Sequence, residues 1–562
     1  MFCVIGFIII GIFMVMPLFV GDFFVAHDLL FHLNWNKLFV EQFWAGDFYP
    51  RWLADMNGGR GSPVFFFYGP IPYFVLSFFE PLVGNDPHGW LRLGLSFTTA
   101  LVLSGYCAFL WLEKIVDRRA AFLAAVLYML LPYHLPVDLY YRFSLAEFWA
   151  FVWMPLILYA TKEIIRGKKN ATLKFAVSYA LLIMTHLPTT LIFSGIPPIY
   201  ALVSSDQGKK TKNLLLTVAA MGLGIGLSSI YLLPALTTQE YVNFQFITMG
   251  GWKYDVNFFN LAEGAQTVES FKEYVFHLTV YSGIVAMLFY FPALLDSKIR
   301  ENNRIESCFW FIIAIISIFL MLPLSNRIWQ ILPLLQKIQF PWRFNLLLSV
   351  AIPAIVGIGL TADSGRLVRI GRIAHVTILA LILAQAVVAA SLIYDRAAGN
   401  IDADKRAVIE RSLEINEGAP EYLPRWVSEE LVFKALNGSL SRLESKITVT
   451  EDDKAVVRIL RWQPRHIELD VSGETECRLT VGQFFYPGWT ARLQGNLGTL
   501  PLEASREGLL NIVVPAGDHK VVIKLEARIE ERLGQITSFI IALSIVCLWI
   551  HKFLPVKKGY RI

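Results

Sequence analysis

Residues 3–20 read CVIGFIIIGIFMVMPLFV, and this apolar run decides the class of fold. A membrane-spanning helix needs about 20 mostly apolar residues, and the run approaches that length without one charged side chain. It lacks the basic start and small-residue cleavage site of a signal peptide, so we expect it to remain as a span. Because 55% of the 562 residues are hydrophobic and the mean hydropathy is +0.51, we predict an integral membrane protein.

Similar apolar runs recur along the sequence and predict a polytopic α-helical membrane protein. Length and composition indicate about twelve transmembrane helices. The predicted spans cover residues 3–20, 88–112, 120–135, 148–165, 175–187, 190–203, 214–236, 275–295, 308–324, 346–360, 376–393 and 536–550.

Charged residues between the apolar runs predict the orientation, because Lys and Arg concentrate on the cytoplasmic side of a membrane protein. With the N-terminus inside, every inside gap is basic, as in the gap that holds Arg166, Lys168 and Lys169. The short outside gaps carry almost no Lys or Arg, and the C-terminal tail is basic. Both termini are therefore predicted to be cytoplasmic, and the net charge of +5 does not indicate nucleic-acid binding.

One apolar run, 64–83, must be left out of this count. Counting it as a span would move every later basic gap to the outer side of the membrane. It contains four prolines within or directly before it and also Glu80. We interpret it as an interfacial or re-entrant helix at the outer leaflet. Irregular backbone at membrane depth needs protein or water around it, so a cavity is expected there.

The first outer loop, 21–63, is dense in charged and aromatic residues. Asp28 and His32 lie four residues apart in a stretch with helical spacing and therefore share one face. A carboxylate and an imidazole placed in this way suit proton transfer or cation binding. The same spacing also decorates ordinary solvated helices, so both interpretations stay open at this point.

The C-terminal part changes to a soluble composition at 395–532, after a transmembrane domain of residues 1–394. From about residue 440 it shows short alternating strands separated by turn signals, which predict an extracytoplasmic β-sandwich. Residues 533–562 then form the last transmembrane helix and a basic tail. The five cysteines have no spacing typical of a disulfide framework or a metal site.

Several segments resemble a known family. They are HDLLFHLNW (27–35), FWAGDFYPRW (43–52), GGRGSPVFFFYGPIPYF (58–74), YYRFSLAEFWAFVWMPLIL (140–158), MTHLPTTL (184–191), FPWRF (340–344), EYLPRW (421–426) and FFYPGW (484–489). Their order is similar to that of the prokaryotic "6-pyruvoyl-tetrahydropterin synthase-related" membrane proteins and their YfhO-like relatives. That family commonly has Gly where this chain has Phe143.

The resemblance implies a GT-C-like fold and an inverting glycosyltransferase that acts on the outer side of a prokaryotic plasma membrane. The implied donor is a polyprenyl-phosphate sugar, and the implied acceptor is a surface glycan or protein. The family is placed in the GT-C superfamily, where the first outer loop carries an essential Asp, and this resemblance points to Asp28 as the base. His32 would support Asp28, and Asp22 is the alternative base.

Cations near the leaving phosphate are also expected, because negative charge develops there. The residues predicted to bind the donor phosphate or substrate are Arg60, Arg142, Glu147, His186 and Arg343. No protein metal site is predicted, although a divalent cation near Asp28 is left open. The alternative functions are a lipid-linked saccharide transporter or flippase, and a non-enzymatic envelope assembly protein.

Overall fold

A computed structural model of the protein describes residues 2–20, 26–84, 86, 89–259, 269–295, 301–361, 403–450, 455–495 and 498–551. The predicted span 376–393, the basic tail and the alternative base Asp22 lie outside the described residues.

The N-terminal part is almost entirely helical. Its first helices are α1 (Phe2–Val15), α2 (Pro17–Val20), α3 (Leu29–Trp44), α4 (Met56–Gly59), α5 (Val64–Phe67), α6 (Ile71–Val83), α7 (Trp90–Leu112) and α8 (Arg118–Leu130). A π-helix (Tyr133–Tyr141) follows, and then α9 (Leu145–Ile165), α10 (Ala171–Ile183), α11 (Leu187–Phe193), α12 (Ile196–Val203), α13 (Lys210–Leu227) and α14 (Ser229–Thr237).

Beyond a stretch of short 3₁₀ turns the bundle continues. It contains α15 (Glu269–Leu295), α16 (Glu301–Leu320), α17 (Asn326–Ile331), α18 (Pro333–Gln336) and α19 (Asn345–Leu360). The C-terminal part adds α20 (Ala403–Ile415), α21 (Glu429–Leu436) and the closing α22 (Ile529–His551). The mostly helical class is confirmed, and the predicted helix in the first loop is present as α3.

In the described chain, six helices are long and apolar enough to cross a membrane. A seventh would be the pair α13 and α14, which is bent by 77° at a short break. Other predicted spans coincide with helices such as α1 and α10, which have only 14 and 13 residues. At 1.5 Å per residue these are shorter than the hydrocarbon core of a bilayer. The predicted count of about twelve spans is therefore not confirmed.

The proline-rich run 64–83 forms two short helices, α5 and α6, separated by a break at Tyr68–Pro70. Proline lacks the amide hydrogen that helix propagation needs, which explains why the helix restarts at Ile71. The 13 residues of α6 reach about 20 Å, less than a bilayer core of about 30 Å. Its interfacial location stays a prediction.

The C-terminal domain is a sandwich of two four-stranded antiparallel sheets, with strand orders β1-β4-β7-β6 and β2-β3-β8-β5. The strands are β1 (Ile447–Val449), β2 (Ala455–Gln463), β3 (His466–Gly473), β4 (Cys477–Phe484), β5 (Trp489–Leu493), β6 (Leu502–Ala504), β7 (Leu509–Val514) and β8 (Gly517–Leu525). Seven of them match the predicted runs, and β6 was missed. Alternate residues of β3 and β4 are buried in the core between the sheets.

The sandwich packs directly on the first outer loop. The Gln483 amide nitrogen donates to the carbonyls of Ala54 and Gly59 at 3.1 and 2.8 Å. The Trp52 indole donates to the Gln483 side chain at 2.8 Å. Because all three loop positions lie between α3 and α5, the β-domain fixes the loop that follows Asp28 and His32.

The predicted orientation can be tested with reporter fusions placed after Arg166 and after Gly473. We expect a cytoplasmic signal at Arg166, where the gap is basic, and an extracytoplasmic signal at Gly473 within the sandwich. Alkaline phosphatase and green fluorescent protein fusions report the two sides. A cytoplasmic signal at Gly473 would refute the orientation.

Candidate active site

A cavity of about 790 Å³ lies where the first loop, the π-helix, the turn before α11 and the start of the C-terminal domain meet. Its walls are mainly aromatic and aliphatic, as is usual for ligand sites. A small set of ionisable groups also faces it, including Asp28, His32, Arg142, His186, Arg343 and Glu421. Five of these six are residues that the sequence predicted for the site.

Asp28 occupies the residue before α3 and is half-buried at the cavity wall. Its backbone amide donates to the Arg142 carbonyl at 2.9 Å, and the His27 amide donates to the Tyr141 carbonyl at 3.2 Å. These two bonds join the first loop to the end of the π-helix. They bring the predicted base beside the predicted phosphate ligand, although the two residues are far apart in sequence.

The π-helix Tyr133–Tyr141 contains Pro136 and delivers Arg142 to the cavity. π-Helical turns are rare and often mark functional sites. The next residue, Phe143, has a φ of 56°, a left-handed conformation that costs a side chain about 1–2 kcal/mol. Its ring stacks on Trp90 with a centroid distance of 5.8 Å, and this packing offsets part of the strain. Glycine adopts this left-handed conformation without the same cost.

A buried ion-pair network holds the two arginines of the cavity. Glu147 Oε2 accepts from Arg142 at 2.8 Å and from Arg343 at 3.1 Å, while its Oε1 accepts from the Tyr133 hydroxyl at 2.6 Å. Arg142 also pairs with Asp138 at 2.5 Å. Glu147 and Asp138 are fully buried and stand behind the arginines. Glu147 therefore contacts both arginines, and its predicted role in substrate binding stays a prediction.

Burial among protein atoms raises the pKa of the Asp28 carboxyl above its ordinary 3.8, and the charges of Arg142 and Arg343 oppose this rise. Burial lowers the pKa of His32 to about 3, and the charge of Arg142 adds to this effect. His32 is therefore neutral at physiological pH. Its Nδ1 is 2.6 Å from the Tyr73 hydroxyl. His32 lies one helical turn from Asp28, as predicted, and its ring is uncharged.

His186 reaches the cavity because the chain makes an unusually close approach at Gly69. A Cβ atom on Gly69 would lie 2.0 Å from the Thr185 carbonyl oxygen, so only glycine fits. The Ile71 amide donates to the Met184 carbonyl at 3.3 Å and fixes the same approach. The His186 ring bonds Thr189 at 2.7 Å, which orients it at the start of α11.

The structure does not place Arg60 at the cavity, and it does not show a site for the divalent cation among the described residues. Arg60 donates instead to the carbonyls of Asn57 and Ser441 at 3.0 and 2.6 Å, so it fastens the first loop to the C-terminal domain. In the described part of the chain, no group of three or more His, Cys, Asp or Glu side chains is arranged to hold a metal ion. The divalent cation near Asp28 stays a prediction.

The sequence interpretation missed Glu421 and Tyr422, which line the cavity from a 3₁₀ turn, Pro420–Tyr422. They belong to the EYLPRW segment that resembles the family, but nothing in their spacing relates them to Asp28. Long-range bonds place this turn, since Asn34 donates to the Glu417 carbonyl at 3.0 Å and the Asn57 side chain accepts from Gly418 at 3.1 Å.

Three solved structures are similar to this chain over part of its length. ArnT from Cupriavidus metallidurans, solved bound to undecaprenyl phosphate, is 14% identical and matches over 73% of this chain and 69% of its own, with a TM-score of 0.43. An Archaeoglobus fulgidus oligosaccharyltransferase in its apo form is 13% identical over 78% and 64%, with a TM-score of 0.44. The mycobacterial arabinofuranosyltransferase AftD is 16% identical over 70% and 26%, with a TM-score of 0.40.

A curated protein of Lactococcus lactis subsp. cremoris, described as uncharacterised, is 23% identical over 322 residues, which is 54% of this chain. The match spans about half (51%) of the length of that relative.

The family resemblance seen in the motifs is confirmed by a family-wide comparison. The profile of the family described as "6-pyruvoyl-tetrahydropterin synthase related domain; membrane protein" matches residues 65–395, more than half of the chain. The matched region includes the π-helix, the Glu147 network and Arg343. The protein therefore belongs to the 6-pyruvoyl-tetrahydropterin synthase related family of membrane proteins.

Proposed function

We propose that the protein is an inverting glycosyltransferase that uses a polyprenyl-phosphate sugar on the outer side of the membrane. One observation carries the proposal: a half-buried carboxylate, Asp28, lies within electrostatic reach of two buried arginines at the wall of one large cavity. A base beside paired cations is what glycosyl transfer from a phosphate requires.

In the proposed step, Asp28 accepts the proton of an acceptor hydroxyl as its oxygen attacks the anomeric carbon. The bond from that carbon to the phosphate oxygen breaks, and polyprenyl phosphate leaves with the electron pair. Arg142 and Arg343 stabilise the charge that gathers on the phosphate. Attack from the face opposite the leaving group inverts the anomeric configuration.

The cavity also suits a lipid-linked donor. Leu236 and Leu334 line it and are 55% and 57% exposed, so they form an apolar mouth where a prenyl chain can lie. Apolar side chains that are exposed in this way indicate contact with lipid or with a partner. A free nucleotide sugar would not need them.

The proposal is tested with purified protein in proteoliposomes and a panel of polyprenyl-phosphate sugars that carry glucose, galactose, mannose or arabinose. We expect at least one donor to lose its sugar, either to an added glycan or slowly to water. Mass spectrometry of the released polyprenyl phosphate measures turnover without knowledge of the acceptor. Movement of intact donor across the bilayer without any release would favour the flippase instead.

The pH dependence of turnover gives a separate prediction. Asp28 acts as a base only when deprotonated, so kcat/KM should rise with pH through an acid limb. Since burial raises the pKa of Asp28, the limb should lie above the ordinary carboxylate value of 3.8. His32, with a pKa of about 3, should add no limb above pH 4. A rate that falls as the pH is raised from 4 to 6 would contradict the assignment of Asp28.

A further inference from the structure

The wall formed by the C-terminal domain contributes a second carboxylate to the cavity. Glu421 faces the cavity; among the described residues its carboxylate accepts a hydrogen bond from its own backbone amide and has no ion pair. Its charged neighbour is Asp28, whereas Asp28 also interacts with Arg142 and Arg343. Asp28 therefore stands between a cationic side of the cavity and an acidic side.

Aromatic rings surround the acidic side. Trp35 lies 4.8 Å from Tyr68 and 5.9 Å from Tyr422, measured between ring centroids, and all three line the cavity. Such rings offer flat apolar faces of the kind that pack on the C–H faces of sugar rings, with a polar group at one edge. The combination of aromatic faces and carboxylates differs from the arginine side, where a phosphate fits.

Two buried polar atoms on cavity-lining residues of α3 have no partner among the described residues. They are the Trp35 Nε1 and the His32 Nε2, on side chains that are 3% and 1% exposed. Buried polar groups are almost always hydrogen-bonded, so an unpaired pair on the wall of one cavity points to a ligand that completes them. A polyhydroxylated ligand can serve both atoms, because each hydroxyl donates and accepts.

We infer that this wall is the acceptor subsite, where Glu421, Trp35 and Tyr422 bind a sugar ring of the acceptor with one hydroxyl turned toward Asp28. The inference rests on the proposed function and adds to it the chemical class of the acceptor, a sugar. With two carboxylates facing it, the subsite should prefer a neutral or amine-bearing sugar over a uronic acid, since like charges repel. Glu421 is then a specificity-determining residue supplied by the C-terminal domain.

Saturation-transfer NMR of the full protein in nanodiscs tests the subsite, with glucosamine, methyl β-glucoside and glucuronic acid as probes. We expect saturation of the first two sugars and markedly less of glucuronic acid. Burial raises the pKa of Glu421 to about 7, so binding is measured at pH 8, where the carboxylate is mostly charged. Glu421→Gln keeps the shape but removes this charge, and it should weaken glucosamine binding about tenfold, since the lost bond is charge-assisted. Decaprenyl phosphate binding should stay as in the wild type.

Glu417→Gln is the matched control, because Glu417 lies on the same segment but does not line the cavity. Unchanged glucosamine binding in Glu421→Gln, or an equal loss in Glu417→Gln, would overturn the subsite. Failure of the wild type to bind decaprenyl phosphate, with sugar binding intact, would contradict the proposed function and leave the sugar subsite standing.

Discussion

Replacing Asp28 by Asn should lower the rate of sugar transfer by about a hundred- to ten-thousand-fold, the usual effect of removing a general base. The substitution keeps the size of the side chain and leaves the backbone bond from residue 28 to the Arg142 carbonyl in place. Donor binding and folding should therefore survive. Turnover is measured as released polyprenyl phosphate under single-turnover conditions.

Asp55→Asn is the control for this experiment, because Asp55 lies on the same loop but pairs with Arg442 at 3.1 Å, away from the cavity. It should transfer sugar at nearly the wild-type rate. Near-normal transfer by Asp28→Asn would remove Asp28 from the mechanism. Loss in Asp22→Asn alone would move the base to Asp22 and keep the glycosyltransferase.

Replacing Arg142 by Met should destabilise the fold by about 3–5 kcal/mol, because it leaves a buried carboxylate without its partner. Arg142 is 3% exposed, and its loss strips Asp138 of its only ion pair among the described residues while Glu147 keeps Arg343. Denaturant titration in mixed micelles measures the change.

The double variant Arg142→Met with Asp138→Leu separates the two contributions. An apolar pair of similar volume costs little where an ion pair is fully buried, so the double variant should recover most of the lost stability while donor binding stays weak. A single variant as stable as the wild type would show that the Arg142–Asp138 pair does not stabilise the fold.

Much of the architecture was readable from the sequence because it depends on local periodicity. Apolar runs become helices, and alternating residues after about 440 become the strands of a sandwich. The predicted number of spans is not confirmed at helices such as α10, where the apolar run forms a helix of only 13 residues. The strand β6 was missed because three residues carry too little alternation to be recognised.

The site was predictable only in part. Asp28, His32, Arg142, His186 and Arg343 each stood in a segment with a family-like motif, and the structure brings them to one cavity. The contribution of Glu421 could not be read in advance, since long-range bonds to Asn34 and Asn57 decide its place. Likewise, Arg60 looked like a phosphate ligand by charge, but its partners are backbone carbonyls of the first loop and the C-terminal domain.

The central claim is that the arginine side of the cavity holds the phosphate of a lipid-linked donor beside Asp28. A cryo-electron microscopy structure of the protein with decaprenyl phosphate tests it most directly. The account predicts phosphate density within hydrogen-bond distance of the Arg142 or Arg343 guanidinium, with the prenyl chain leaving past Leu236 and Leu334. Lipid phosphate bound outside the cavity, with no density beside Asp28, would contradict it.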